Sequence, residues 1–323
     1  MLPKFTYSRP DTLAAALKVL DDQPAIVHGG GTDLLGCLRG GVFSAETVLS
    51  ISAIEELNGI RAADGGLRIG ALTAVADVAA DETVGARYKG LADAAASVAS
   101  PQLRNQGTIA GNLCQKPRCW YYRGDFDCLR KGGDMCFAVE GENQYHCIFG
   151  GDMCFIVHPS DTAPAFSALG AICRITGPNG TRSVPVEKLH VLPGDDPQRE
   201  TVLEPDEILT EIMLPAAPAG LRSSYRKVRT RGAWDFAIAG VALALVFDGD
   251  TVKSARVFLS AAAPVPWRAS GVEAAITGTK LDDATIAKAA KAAVAGAEPL
   301  ELNGYKIPLF EGIVAEQLEA IRG

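Results

Sequence analysis

Ile26-Val27-His28-Gly29-Gly30-Gly31-Thr32-Asp33-Leu34 reads as a short buried strand running directly into a glycine loop. In such a loop backbone N–H groups can approach an anion without obstruction from Cβ. A tight glycine turn explains the same letters equally well. The spacing is not GxGxxG, which disfavours a nicotinamide-type dinucleotide fold. Further along, Gln102-Leu103-Arg104-Asn105-Gln106-Gly107-Thr108-Ile109-Ala110-Gly111-Asn112 again mixes glycine with short hydroxyl and amide donors. Two such loops in this order could grip the two phosphates of one pyrophosphate.

Around these loops the pattern is mixed. Asp11 is placed to cap a helix with Leu13, Leu17 and Leu20 on one face. Residues 47–51 and 67–69 read as further strands, and residues 88–99 as a helix burying Leu91, Ala95 and Val98; residues 100–112 read as a polar loop. After His158-Pro159-Ser160-Asp161 a small-residue helix is predicted over 163–169. A hairpin follows, with residues 171–176 and 181–186 around Gly177-Pro178-Asn179-Gly180. Pro215-Ala216-Ala217-Pro218-Ala219-Gly220 is a compositional break and the best linker. Beyond it residues 223–230, 236–247 and 252–262 read as strands, with Asp248-Gly249-Asp250 as a turn, and helices over 283–297 and 309–322 close the chain. The outline is α+β to about Pro215, then a smaller domain of antiparallel sheet and helices.

One stretch breaks the pattern. Six of the eight cysteines, Cys114, Cys119, Cys128, Cys136, Cys147 and Cys154, fall in a glycine-punctuated run that reads poorly as helix or strand. A loop this long inside a compact domain is usually functional or disordered. Four thiolates can order it by binding a metal or an iron–sulfur cluster. Scattered buried thiols and disulfides are the plainer readings. Neither paired CxxC knuckles nor a common ferredoxin run is present, so the spacing does not separate zinc from iron–sulfur.

Composition narrows the classes. The 323 residues are 48% hydrophobic and 21% charged, an ordinary globular balance with length for two or three domains. A net charge of −7 without any basic run argues against nucleic acid as a partner. No apolar stretch is long enough to span a membrane, and Met1-Leu2-Pro3-Lys4 does not open a signal peptide. The expected location is cytoplasmic; export on a partner's twin-arginine signal would make it periplasmic. His146, His158 and His190 form no i,i+4 pair, and no Ser–His–Asp set, catalytic carboxylate pair or Walker loop emerges.

The paired loops resemble those of the FAD-binding medium subunit of the xanthine oxidase family of molybdenum hydroxylases. The resemblance covers nearly the whole chain, from Phe5-Thr6-Tyr7-Ser8-Arg9-Pro10 through Ser160-Asp161-Thr162-Ala163-Pro164-Ala165 and Tyr225-Arg226-Lys227-Val228-Arg229 to Asn303-Gly304-Tyr305-Lys306-Ile307. It implies a two-part α+β FAD-binding domain of the vanillyl-alcohol-oxidase (PCMH) type over residues 1–217. A small C-terminal α+β domain, like that of CO dehydrogenase flavoproteins, would cover 218–323. The cysteine loop, residues 114–157, resembles that of the subset with an extra 4Fe–4S cluster, which includes the beta subunit of 4-hydroxybenzoyl-CoA reductase and the FAD subunit of periplasmic aldehyde oxidoreductase. Matching Pro117-Arg118-Cys119 and the closing Cys154 with His158-Pro159-Ser160-Asp161 implies Cys119, Cys128, Cys136 and Cys154 as ligands. Cys147 and Cys114 are then structural thiols, and Cys37 and Cys173 small buried hydrophobes.

Site roles follow from the same resemblance. Ile26, Val27, His28, Gly29, Gly30, Gly31, Thr32, Asp33 and Leu34 match the first pyrophosphate segment, where His28 replaces a small residue; Thr108, Gly111 and Asn112 match the second. Asp161 matches the acid that accepts from the flavin's sugar-alcohol chain. Lys227 matches a basic residue near the isoalloxazine ring, although a surface lysine on an edge strand fits its alternation almost equally well. Val98 and Leu209 match apolar positions flanking the ring, which core packing would explain too. The implied partners are a large molybdopterin subunit, a small subunit with two 2Fe–2S clusters, and an external electron acceptor or donor. Substrate chemistry is then expected on another chain, with this one moving electrons. The rival is a non-redox scaffold or zinc-binding module on a flavoprotein fold; intact Asp161, Lys227 and both glycine loops argue against it.

Overall fold

The computed structural model describes residues 1–322. Strands β1 (Thr6–Ser8), β2 (Ile26–His28) and β3 (Thr47–Ser50) form a parallel sheet in the order β1-β3-β2. Parallel strands need crossover connections. The first is the helix Leu13–Asp22, which buries Ala16 and Leu20 against Leu49, Ile51 and Ile54. Its cap is Thr12 and not Asp11: the Thr12 hydroxyl accepts from the Ala15 N–H at 3.3 Å. β2 is half-buried and not fully buried, because it forms an edge of this sheet. The glycine loop leaves its C-terminal end and runs into the helix Leu34–Arg39.

Strands β4 (Ile60–Ala63), β5 (Gly66–Gly70), β6 (Ile172–Gly177), β7 (Gly180–Pro185) and β8 (Ile208–Leu214) pair antiparallel in the order β4-β5-β8-β6-β7. The predicted hairpin is β6–β7, and β6 alternates buried Cys173 and Ile175 with half-exposed Arg174 and Thr176. The helices Lys89–Ser97 and Thr162–Ala168 contribute Leu91, Ala95 and Phe166 to the core that Ile69, Ile175 and Ile212 provide from the sheet. Residues 100–112 are not a loop. Ser100 caps a helix Pro101–Gln106 with proline at its first turn, and Thr108 caps a second, Ile109–Leu113. Both caps and the N-terminal proline were readable start signals that the glycine content obscured.

Strands β9 (Leu221–Val228), β10 (Ala239–Asp248), β11 (Thr251–Ser260) and β12 (Trp267–Arg268) form an antiparallel sheet in the order β12-β11-β10-β9. Helices Ser270–Ile276, Asp283–Ala292 and Lys306–Arg322 cover one face. β10 is buried on both faces, which explains its nearly continuous small and apolar run. Val241, Leu243 and Leu245 join the C-terminal core, while Ala242 and Ala244 join the core of the five-stranded sheet. Residues 229–238, read from sequence partly as strand ends, loop out between β9 and β10. No helix among the described residues is long and apolar enough to cross a membrane.

Candidate functional site

The first glycine loop leaves β2 with its amides unclaimed. From Gly29 to Leu34 no backbone N–H among the described residues donates to a protein acceptor, whereas Leu35 and Cys37 already donate to the Gly31 and Asp33 carbonyls at 3.2 and 3.1 Å. A run of free amides on a turning backbone is an anion-binding nest. Close approach needs glycine here: a Cβ on Gly30 would collide with the Gln106 carbonyl, and one on Gly31, at φ +72°, with the His28 ring. Gln106 Nε2 donates to the Gly30 carbonyl at 3.1 Å, so the two glycine loops touch. Burial lowers the pKa of His28, and its Nδ1 is buried without a partner.

The second glycine segment, around the start of the helix Ile109–Leu113, is organised by its side chains. Thr108 Oγ1 accepts from the Gly111 N–H at 3.1 Å, and Asn112 Oδ1 accepts from the Ser160 and Thr162 hydroxyls at 2.6 and 2.7 Å. Those bonds tie the loop to the segment that carries Asp161. Lys227 Nζ donates to Asp161 Oδ2 at 2.7 Å and to the Ser97 carbonyl at 3.3 Å, and the Tyr225 hydroxyl donates to Asp161 Oδ1 at 2.8 Å. Burial pushes the Asp161 carboxyl above its ordinary value, while Lys227 and Tyr225 pull it back. Lys227 is therefore not a surface lysine. β9 is an edge strand, but the Lys227 side chain is 3% exposed and faces Asp161.

Between these elements lies an open cleft. Of the residues expected from sequence, Thr32, Asp33, Val98, Thr108, Gly111, Asn112, Asp161 and Lys227 line it. Ile26, Val27, His28, Gly29, Gly30, Gly31 and Leu34 form the strand, loop and helix start from which Thr32 and Asp33 project, and do not themselves line it. Leu209 is 4% exposed on β8, inside the core of the five-stranded sheet, and does not line the cleft. The sequence reading missed Val75, Ala99, Leu103, Gln115 and Arg118, and the loop residues Trp234, Asp235 and Phe236. Ala99 has φ +42°, uncommon for a residue with a Cβ, and its carbonyl accepts from the Trp234 N–H at 2.9 Å. Arg231-Gly232 was the available sign that this segment loops instead of continuing as strand.

Asp33, where the glycine loop meets the helix, is held by cations and an amide. Its Oδ1 stands 2.7 Å from Arg118 Nη1 and 2.8 Å from Arg123 Nη2, and its Oδ2 accepts from the Lys116 N–H at 2.8 Å. All three partners open the cysteine stretch, so Asp33 clamps that stretch to the glycine loop. Arg118 lines the cleft, and the next residue, Cys119, lines a second, tight cavity. Cys128, Cys136 and Cys154 face the same cavity; Cys147, 1% exposed, does not. Cys114 packs at the margin of the core of the five-stranded sheet and Cys173 inside it, while Cys37 is buried beside Tyr122 and Cys128. None of the eight cysteines is in a disulfide among the described residues. A hydrogen bond from the Cys136 thiol, with the Arg130 guanidinium beside it, pulls the Cys154 thiol below its ordinary value. Among the described residues no three His, Cys, Asp or Glu side chains converge closely enough to hold one metal ion.

The far end of the stretch is latched to the C-terminal domain. Asn303 Nδ2 donates to the His146 and Cys147 carbonyls at 3.1 and 3.0 Å. Lys306, fully buried, donates to the carbonyls of Tyr145, His146 and Ala261 at 3.2, 2.9 and 2.9 Å. Ile148 and Phe149 enter the C-terminal core.

The geometry has recognisable counterparts. Residues 3–217 match the family model of the FAD binding domain in molybdopterin dehydrogenase, and residues 223–306 that of the CO dehydrogenase flavoprotein C-terminal domain. The chain is 37% identical over 328 residues to the aldehyde oxidoreductase FAD-binding subunit PaoB of Escherichia coli K12, covering 98% of each. It is 30% identical over 325 residues to the carbon monoxide dehydrogenase medium chain of Hydrogenophaga pseudoflava, covering 98% of this chain and 97% of that one. A solved structure of carbon monoxide dehydrogenase from Hydrogenophaga pseudoflava superposes with a TM-score of 0.76 at 28% identity, over 99% of this chain and 96% of that one.

Proposed function

The chain belongs to the FAD-binding subunit family of the molybdenum hydroxylases, oxidoreductase complexes related to xanthine oxidase, and from that premise we propose that it is an electron-transfer subunit holding one FAD and one 4Fe–4S cluster. The observation that carries this reading is the adjacency of Arg118 and Cys119, which puts the cleft of the glycine loops and the four-cysteine cavity on consecutive residues. The residues present suit FAD. The unclaimed amides from Gly29 to Leu34 and the Thr108–Asn112 turn would hold the pyrophosphate; Asp161 would accept from the sugar-alcohol chain and Lys227 would lie near the ring. FAD, when bound, supplies a centre that exchanges electrons in pairs on one side and singly on the other.

We read the four-cysteine cavity as the seat of a four-iron cluster on the resemblance of the cysteine stretch to that of the subset with an extra cluster; Cys119, Cys128, Cys136 and Cys154 face one space and would supply the four thiolates. The proposed ligands are Cys119, Cys128, Cys136 and Cys154. The complex would include a large molybdopterin subunit, where substrate is turned over, and a small subunit with two 2Fe–2S clusters. This chain would pass electrons between those clusters and an external acceptor or donor. The substrate class best supported is aldehyde, from the likeness to the E. coli aldehyde oxidoreductase subunit.

Serine variants test the ligand set. Replacing any of the four ligands should remove or destabilise the cluster, because a hydroxyl is a poorer ligand for iron than a thiolate; Cys147→Ser should keep it. Iron and acid-labile sulfide per chain provide the readout. Loss of iron in Cys147→Ser with retention in Cys136→Ser would show the ligand set to be wrong.

A further inference from the structure

Two buried polar side chains in the cysteine cavity are neither part of the FAD cleft nor among the proposed ligands. His146 is 4% exposed, its Nε2 lies 3.3 Å from Cys119 Sγ, and its Nδ1 is buried without a partner. A proton on Nδ1 would be a buried donor with no acceptor, so it belongs on Nε2. A cluster-bound thiolate offers only lone pairs, so His146 Nε2–H donates and Cys119 accepts. Arg130 has a side chain 1% exposed, lines the same cavity as Cys154, and leaves its Nε without a partner. Its Nη1 donates to Glu200 Oε1 at 2.9 Å. Glu200 is shared with Lys116, so two cations face one carboxylate and this wall stays positive.

Resting on the four-iron reading above, we propose that His146 and Arg130 are positioning residues that hold the cluster's reduction potential up, through an N–H bond to the Cys119 sulfur and a buried positive charge beside Cys154. Reduction adds one negative charge to the cluster and breaks no bond. A donor to sulfur and a nearby guanidinium both favour the more negative, reduced form. Neither residue need touch iron to do this. Arg130 is fixed by Glu200 and His146 by its own backbone: its N–H donates to the Asn143 carbonyl at 2.9 Å, and its carbonyl accepts from Lys306 and Asn303. The geometry is thus supplied by the fold before a cluster enters.

The experiment is a redox titration of the purified complex, followed by the electron-paramagnetic resonance signal of the 4Fe–4S centre. His146→Phe and Arg130→Met should each shift the midpoint to more negative potential at unchanged iron content. His146→Gln, which keeps an N–H donor, and Arg130→Lys, which keeps the charge, should fall between these and wild type. A full cluster at the wild-type midpoint in both His146→Phe and Arg130→Met would overturn the proposal. Should those variants lose the cluster, wild-type complex labelled with ¹⁵N-histidine decides: a resolved ¹⁵N coupling to the reduced cluster supports the bond, and its absence refutes it. Wild-type protein with no four-iron signal would instead refute the underlying four-iron reading.

Discussion

Asp161 sits in an almost dry site, accepting from Lys227 at 2.7 Å and from Tyr225 at 2.8 Å. Each carboxylate oxygen keeps a lone pair, so the pair can be satisfied internally and still accept from a polyol. Asp161→Ala is expected to weaken FAD binding by about 1–3 kcal/mol, roughly 5- to 150-fold in Kd, read by flavin fluorescence during removal and return of FAD. Unchanged affinity would remove Asp161 from the FAD site. Lys306 is a second buried charge, with no carboxylate facing it, and burial lowers its pKa to about 7. Below that value it is protonated whether folded or unfolded. Between about pH 7 and its ordinary value near 10.4 only the unfolded chain holds the proton, so rising pH stabilises the fold, by at most about 1.4 kcal/mol per pH unit. Unfolding midpoints measured at two pH values within that window should therefore differ less in Lys306→Met than in wild type. Equal differences would mean that Lys306 titrates normally.

At the scale of elements, the two glycine loops were the legible part of the sequence, because glycine beside short donors has a direct backbone meaning. Their mutual contact was not legible, since it depends on the Gln106 carbonyl lying against Gly30. Gly30→Ala should force the loops apart and abolish FAD retention while iron stays bound; Gly85→Ala, at a helical site with open space around it, should change neither. The flavin-to-iron ratio of purified protein checks both, and full FAD in Gly30→Ala would contradict the close-approach account. Lys227 and Leu209 show the limit of reading by alternation. Both lie in strands, but only tertiary packing decides that Lys227 turns onto Asp161 and that Leu209 stays in the core. Residues 229–230 and 236–238 were misread as strand ends because Phe236 and Ile238 look strand-like, whereas the backbone there departs from the sheet to reach Ala99.

Across the whole molecule, the cysteine stretch is held at both ends by protein contacts. Asp33 fastens its start to the first glycine loop through Arg118, Arg123 and the Lys116 amide, while Lys306 and Asn303 fasten its end to the C-terminal domain. Those clamps could not be read from the sequence, because each joins residues far apart in the chain whose charges look like ordinary surface groups. The cysteine spacing could be read, but only as a choice between inorganic centres. The same clamps join the cleft and the cavity into one unit, which supports the proposal that both cofactors lie in this chain. The most direct test is the content of flavin, iron, acid-labile sulfide and zinc in the chain purified without oxygen. One FAD with about four irons and matching sulfide per chain is the expected result. Stoichiometric zinc with no iron or sulfide would contradict it.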